Sequence, residues 1–169
     1  VAKSAADVIF TSNRFDAMAD AISESRGVFA GIRRAVGYLL SCNLGEVLVV
    51  LLAMLFWQIS PLYAIQLLWI NMITSGLPAL SIGMESPSEI EMHRKPRQRD
   101  ESIFDRRSVF LIVTNGILFA ILSLIAFLIG DRQSVGLAGT MAFAVLAFSQ
   151  LMASVSMRSE RSFFHLKGR

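Results

Sequence analysis

The chain has 169 residues, 54% of them hydrophobic, and a formal net charge of +3. The apolar residues fall in long uncharged runs instead of recurring at the spacing of a soluble amphipathic helix, which excludes an ordinary soluble domain. The positive charge does not indicate a nucleic-acid partner, because the Lys and Arg residues lie in the segments that flank and connect these runs. The single cysteine, Cys42, excludes an internal disulfide.

The segment before the first apolar run predicts a short strand, Asp7 to Phe10, followed by a helix that starts near Arg14. No proline interrupts the sequence from Arg14 to Trp57. We therefore expect one continuous helix of roughly 65 Å, at 1.5 Å per residue, in which residues 14–34 form a cytoplasmic stalk. The alternative is two helices hinged at Gly31 or Gly37.

Four stretches are long and apolar enough to cross a hydrocarbon core, which takes about 20 residues of helix. Their approximate bounds are 35–57, 61–84, 108–130 and 135–157. A backbone in lipid must satisfy its own hydrogen bonds, and none of the stretches alternates as a barrel strand would. The sequence therefore predicts an all-α membrane protein with four transmembrane helices.

The basic residues predict the orientation of these helices. Lys and Arg lie before the first span, in the 85–107 loop and in the 158–169 tail, whereas the two short connections hold only Arg132. By the positive-inside rule, both termini and the 85–107 loop are cytoplasmic. We expect a multi-pass protein of the cell membrane, with the lipid bilayer as its surroundings.

One carboxylate, Glu46, lies in the middle of the first span, where an ionisable side chain is costly unless it is paired, hydrated or bound to a cation. Asn43 is three residues earlier, on the same helical face. On the second span Asn71, Thr74 and Ser75 are spaced to share one face.

Pro78 adds an acceptor to this group, because a proline cannot donate a hydrogen bond to the carbonyl four residues earlier, that of Thr74. Gly76 lowers the cost of opening the helix there, as in the interrupted helices of transporters. The resulting ligands are all oxygen atoms, which suits calcium or sodium and not copper or zinc.

The alternative is that polar residues in these spans only bond neighbouring helices. We favour that alternative for single residues, namely Ser75, Ser149, Gln66 and Asn115, and leave both roles open for Gln150. We favour a cation site for Glu46 with Asn43, Asn71, Thr74 and Pro78. We find no phosphate-binding loop, catalytic carboxylate pair or nucleophile triad in the sequence, and predict no catalytic residue in this chain.

Two motifs, Ser41-Cys42-Asn43-Leu44-Gly45-Glu46-Val47 and Gln66-Leu67-Leu68-Trp69-Ile70-Asn71-Met72-Ile73-Thr74-Ser75-Gly76-Leu77-Pro78-Ala79, resemble the type II P-type cation ATPases, and among them the calcium pumps. Residues 1–7 also resemble the end of the phosphorylation domain of that family, and Thr140 to Phe143 the start of its eighth membrane helix. The resemblance implies that residues 1–13 end the phosphorylation domain and that the four spans are helices five to eight.

The resemblance also implies a cation site formed by Asn43, Glu46, Asn71 and Thr74, with weaker candidates at Ser75 and Gln150. At Ser75 the calcium pumps have an aspartate, and at Gln150 some have a glutamate. Calcium is accordingly the leading substrate, with sodium or protons as alternatives. The missing aspartate does not favour transport of two calcium ions.

The remaining parts of such a pump would lie upstream of this chain. The resemblance implies actuator, phosphorylation and nucleotide domains there, which would bind ATP and Mg²⁺, and makes the parent an ATP-hydrolysing enzyme. Two other readings stay open. One is a degenerate or regulatory homologue, suggested by Ser75, and the other is a passive four-helix channel or scaffold.

Overall fold

The computed structural model describes residues 15–84, 103–132 and 134–158. The predicted strand Asp7 to Phe10, residues 85–102 of the predicted loop and residues 159–169 of the tail lie outside the described residues. The described chain is helical apart from short connections, and four of its helices are long and apolar enough to span a membrane. The predicted class, an all-α protein with four membrane-spanning helices, is confirmed.

Helix α1 runs without a break over Phe15–Trp57, 43 residues. A helix of this length measures about 65 Å, so the predicted continuous helix is confirmed and the hinge at Gly31 or Gly37 is not observed. The helix ends where Gln58 adopts the left-handed conformation, with a φ of 54°. The Gln58 backbone N–H still donates to the Met54 carbonyl at 3.1 Å, which closes the last turn.

Helix α2 spans Ala64–Gly83 and contains a change of helix type. It is α-helical over Ala64–Trp69, π-helical over Ile70–Ser75 and α-helical again over Gly76–Gly83. The sequence led us to expect opened backbone near Pro78. The structure accommodates the proline with a wider π-helical turn directly before it, and the helix continues to Gly83. Such single π-helical turns are frequent at functional sites.

Helices α3, Arg106–Asp131, and α4, Val135–Arg158, complete the bundle. Helix α1 packs along α2 and α3, and α3 packs along α4. The buried apolar core where these helices meet includes Val49, Ile70 and Leu146. Many large apolar side chains on the outer faces are exposed, as expected for helices that contact lipid.

Two glycines bring α1 and α3 into close contact beside Glu46. A Cβ atom added to Gly45 would lie 2.9 Å from the Phe119 Cβ, and one added to Gly116 would lie 2.8 Å from a Leu44 side-chain carbon. Small residues permit such approach between membrane helices. The pair therefore fixes how closely α3 supports the part of α1 that carries the carboxylate.

Each end of the bundle has its own contact. At one end, the Arg33 guanidinium on α1 donates to the Asp105 carboxylate and to the Ser108 hydroxyl, the latter at 2.9 Å, and so ties α1 to the start of α3. At the other end, the Trp57 ring meets the Phe127 ring edge-on, with centroids 6.1 Å apart. Both contacts lie well away from Glu46.

Candidate cation site

The Glu46 carboxylate lies between three helices, and its side chain is buried, with 5% of the residue exposed. The Asn71 side-chain nitrogen on α2 donates to Glu46 Oε2 at 2.8 Å. The Gln150 side-chain nitrogen on α4 donates to Glu46 Oε1 at 3.2 Å. Each oxygen of the carboxylate is thus held by an amide from a different helix.

Further hydrogen bonds join Gln150 to its surroundings. The Ser75 hydroxyl donates to Gln150 Oε1 at 2.8 Å, and both residues are fully buried. The Tyr38 hydroxyl donates to the Gln150 backbone carbonyl at 3.1 Å. A second backbone carbonyl, that of Thr74, lies 3.5 Å from the same hydroxyl. Tyr38 therefore links α1 to α2 and α4 within the same buried group.

The two amides that contact Glu46 differ in their exposure. Gln150 has no exposed surface, whereas Asn71 is exposed. The Asn71 side-chain nitrogen also donates to the Leu67 carbonyl of its own helix at 3.0 Å. Asn43 is exposed as well, one turn before Glu46. Among the described residues, no hydrogen bond joins Asn43 to the carboxylate. The Asn71 side of the cluster is therefore its open side.

The local sequence explains how α1 presents these groups. Tyr38, Cys42 and Glu46 are four residues apart and are all buried, so they form one stripe along the helix. Glu46 was predicted from the sequence, whereas Tyr38 was not. The spacing of four from a buried tyrosine to the carboxylate is the signal that could have found it.

The six candidate residues are thus divided by the structure. Glu46, Asn71, Ser75 and Gln150 are joined in one hydrogen-bonded cluster. Thr74 borders it through its backbone carbonyl and is 6% exposed, while Asn43 stays outside the hydrogen bonds. The predicted interhelical role of Ser75 is observed. Ser149 instead donates to the Leu146 carbonyl of its own helix, and Gln66 accepts from the Tyr63 backbone N–H at the start of α2.

The chemistry of this cluster is that of hard oxygen ligands. It offers one carboxylate, amide oxygens, hydroxyls and a backbone carbonyl, the groups that bind calcium and similar cations. In the described ranges there is no group of three His, Cys, Asp or Glu residues of the kind that holds a transition metal.

The chain is similar to known proteins over most of its length. Residues 59–169 match the family described as "Cation transporting ATPase, C-terminus". The chain is 40% identical to Calcium-transporting ATPase 1 of Bacillus cereus, in an alignment that covers 94% of this chain and 20% of that protein. It is 39% identical to the Calcium-transporting ATPase of Bacillus subtilis, covering 97% of this chain and 19% of that protein.

A more distant relative is named for other ions. The chain is 28% identical to the sodium/potassium exporting P-type ATPase cta3 of Schizosaccharomyces pombe, with 99% of this chain and 19% of that protein covered. The chain spans about a fifth of the length of these curated relatives. Its four apolar helices and its family match make it a multi-pass membrane protein. The chain belongs to the family of cation-transporting ATPases, as part of their C-terminal region.

Proposed function

We propose that this chain forms the cation-binding membrane part of an ATP-driven pump that exports calcium. The observation that carries the proposal is a buried carboxylate, Glu46, whose two oxygens accept hydrogen bonds from α2 and α4. A carboxylate in the middle of a membrane span marks an ion pathway more often than it serves only to pair two helices. Calcium is favoured because relatives that match most of the chain are named calcium-transporting ATPases.

The ligands proposed within this chain are Glu46, Asn71, Asn43 and Thr74. Glu46 supplies the charge, and Asn71 lies within hydrogen-bond distance of it. Asn43 is on the open side, where it can reach a cation without displacing a buried partner. Glu46 is the only carboxylate within the four predicted spans. A divalent cation would therefore require further negative charge from a part of the pump outside this chain.

The rest of the activity is proposed to lie upstream. ATP and Mg²⁺ would be bound there, by actuator, phosphorylation and nucleotide domains, and α1 would connect those domains to the site as a single rod. The pump is proposed to lie in the cell membrane, and the positive-inside rule predicts that the 85–107 loop and both ends of this chain face the cytoplasm.

Glu46→Gln in the full-length protein tests this function. The substitution keeps the size of the side chain and removes its charge, so we expect loss of calcium-dependent phosphorylation by ATP and of calcium uptake into vesicles. Ser149→Ala is the matched control, because the Ser149 hydroxyl bonds only within its own helix at 2.9 Å. Unchanged phosphorylation and uptake in Glu46→Gln would refute the site.

A second candidate function, export of a monovalent cation, is favoured by the similarity to the sodium/potassium exporting relative and by the single carboxylate. The same assay separates the two, with sodium in place of calcium. Phosphorylation that responds to sodium and not to calcium would favour this candidate. Phosphorylation that responds to neither ion would favour a degenerate homologue, and ion flux without nucleotide would favour a channel.

A further inference from the structure

The start of α3 carries two adjacent arginines at the edge of an apolar surface. Arg106 and Arg107 are the first two residues of the helix, and both are exposed. Within the described ranges, no carboxylate forms an ion pair with either side chain. The neighbouring carboxylate, that of Asp105, accepts from Arg33 and from Ser108 instead. The charges of the two guanidinium groups are therefore directed to the surroundings of the bundle.

Each arginine adjoins a large apolar side chain on the outer face of α3. Phe110 is four residues after Arg106 and is 68% exposed, and Leu111 is four residues after Arg107 and is 50% exposed. Residues four apart share one face of a helix, so each charge and its apolar residue are neighbours. Leu118, 49% exposed, continues this stripe two turns further along. The charged pair thus leads directly into an exposed apolar surface.

A phospholipid has the complementary chemistry. Its phosphate oxygens accept hydrogen bonds from guanidinium groups, often two at a time, and its acyl chains cover apolar side chains. An anionic headgroup fits better than a zwitterionic one, because no described carboxylate balances the two arginines. A soluble phosphate ion fits less well, because it would leave the adjoining Phe110 and Leu111 uncovered.

The other end of α3 lacks this arrangement. Arg132, which is exposed, follows the last residue of the helix, Asp131, so that one negative and one positive charge are adjacent there. An anionic headgroup would meet no net positive charge from this pair. Arg132 is therefore a matched control for the two arginines at the start of the helix.

We propose that Arg106 and Arg107 bind the headgroup of an anionic phospholipid in the leaflet at this end of the bundle, with the acyl chains along the exposed face of α3. By the predicted orientation, this is the cytoplasmic leaflet. The bound lipid would hold the start of α3 at the membrane surface, beside the contact between Arg33 and Asp105. The site is independent of which ion the pump transports.

Arg106→Gln combined with Arg107→Gln in the full-length protein tests this site, because glutamine is polar and removes the charge. The measurement is native mass spectrometry of the detergent-solubilised protein, titrated with phosphatidylglycerol and, separately, with phosphatidylcholine. We expect the native protein to retain phosphatidylglycerol in preference to phosphatidylcholine. The double variant should bind one phosphatidylglycerol molecule roughly 25-fold more weakly, since each arginine near an anionic lipid contributes about fivefold. Arg132→Gln should bind like the native protein.

Arg106→Lys combined with Arg107→Lys keeps both charges and should retain the lipid, which separates the effect of charge from a change in the fold. Equal binding by the native protein and the glutamine variant, or an equal loss in Arg132→Gln, would overturn the site. Displacement of phosphatidylglycerol by excess inorganic phosphate would overturn it as well and make the arginines a soluble-phosphate site. A native protein without preference for phosphatidylglycerol would show that another part of the pump covers this face.

Discussion

Tyr38 joins three helices through one hydroxyl, which donates to the Gln150 carbonyl at 3.1 Å and lies 3.5 Å from the Thr74 carbonyl. Its side chain is fully buried, so neither acceptor can turn to water for a replacement donor. The aromatic ring fills the core, and the hydroxyl fixes the position of α4 relative to α1.

Tyr38→Phe is expected to keep the ring packing and remove the hydroxyl. The predicted loss in the free energy of unfolding is about 1 kcal/mol, the usual contribution of one buried hydrogen bond. Thermal denaturation of the full-length protein in detergent measures it. Tyr63→Phe is the control, because Tyr63 is 70% exposed. Equal stability of the two variants would show that the Tyr38 hydroxyl contributes nothing to the fold.

Part of the site could be predicted at the level of single residues. Glu46 stands out because a lone carboxylate in an apolar run has few explanations, and Asn71 stands out by its position in the next span. Helical spacing grouped Ser75 with Thr74, and both residues are buried, whereas Asn71 of the same predicted face is exposed. Asn43, one turn before Glu46, is exposed, and its place in the site stays a prediction.

The bond between Ser75 and Gln150 could not be predicted, because it depends on how α4 packs against α2. The two residues are 75 positions apart in the chain. Periodicity specifies which face of each helix is polar, but it does not specify which faces meet. The sequence therefore left both roles of Gln150 open.

At the level of the helix, the absence of proline correctly predicted that α1 is continuous. The structure also explains why Gly31 is not a hinge. A Cβ atom added there would lie 2.6 Å from the Gly83 carbonyl oxygen. The small residue allows α1 to approach the end of α2, and the helical backbone through it is regular.

The link between α1 and the start of α3 should depend on pH. Asp105 precedes α3, and the hydrogen bond from Ser108, followed by the effect of the Arg33 charge, lowers the pKa of its carboxyl below the ordinary value. A lowered pKa in the folded state means that this contribution to stability is present above the unfolded-state pKa, about 3.9. The contribution is lost as the pH falls through the lower, folded-state value.

We therefore predict that Asp105→Asn lowers the thermal stability of the full-length protein by a constant amount between about pH 5 and 8, and that the difference shrinks below about pH 4. The effect should be small, because the Asp105 side chain is 59% exposed. It should also weaken in high salt, which screens the Arg33 charge. A difference that grew as the pH fell would contradict this account.

At the level of the whole molecule, composition and the length of the apolar runs were sufficient to predict four membrane helices. The large apolar side chains left exposed on the outer faces agree with that class. The arrangement of the helices was not predicted, because lipid-facing and protein-facing residues are equally apolar and no amphipathic pattern distinguishes them.

The orientation of the bundle remains a prediction from the basic residues. In intact cells, a membrane-impermeant thiol reagent should label Ser60→Cys, in the connection between α1 and α2, and should not label Ser86→Cys, in the loop predicted to be cytoplasmic. Within this chain the native Cys42 is fully buried, so its thiol should not react with the reagent. If the reagent labelled Ser86→Cys and not Ser60→Cys, the orientation of the helices in the membrane would be the reverse of the predicted one.

The π-helical segment of α2 holds three buried residues, Ile70, Thr74 and Ser75, and its i→i+5 bonding gives the turn more residues than the 3.6 of a regular α-helix. The number of residues in Ile70–Ser75 therefore matters as much as their identity. Deleting one residue would let the wide turn close to regular α-helical geometry, whereas inserting one would rotate the rest of α2 by about 100° relative to α4. A lengthened turn would thus change which side chain meets Gln150, even where every polar residue is retained.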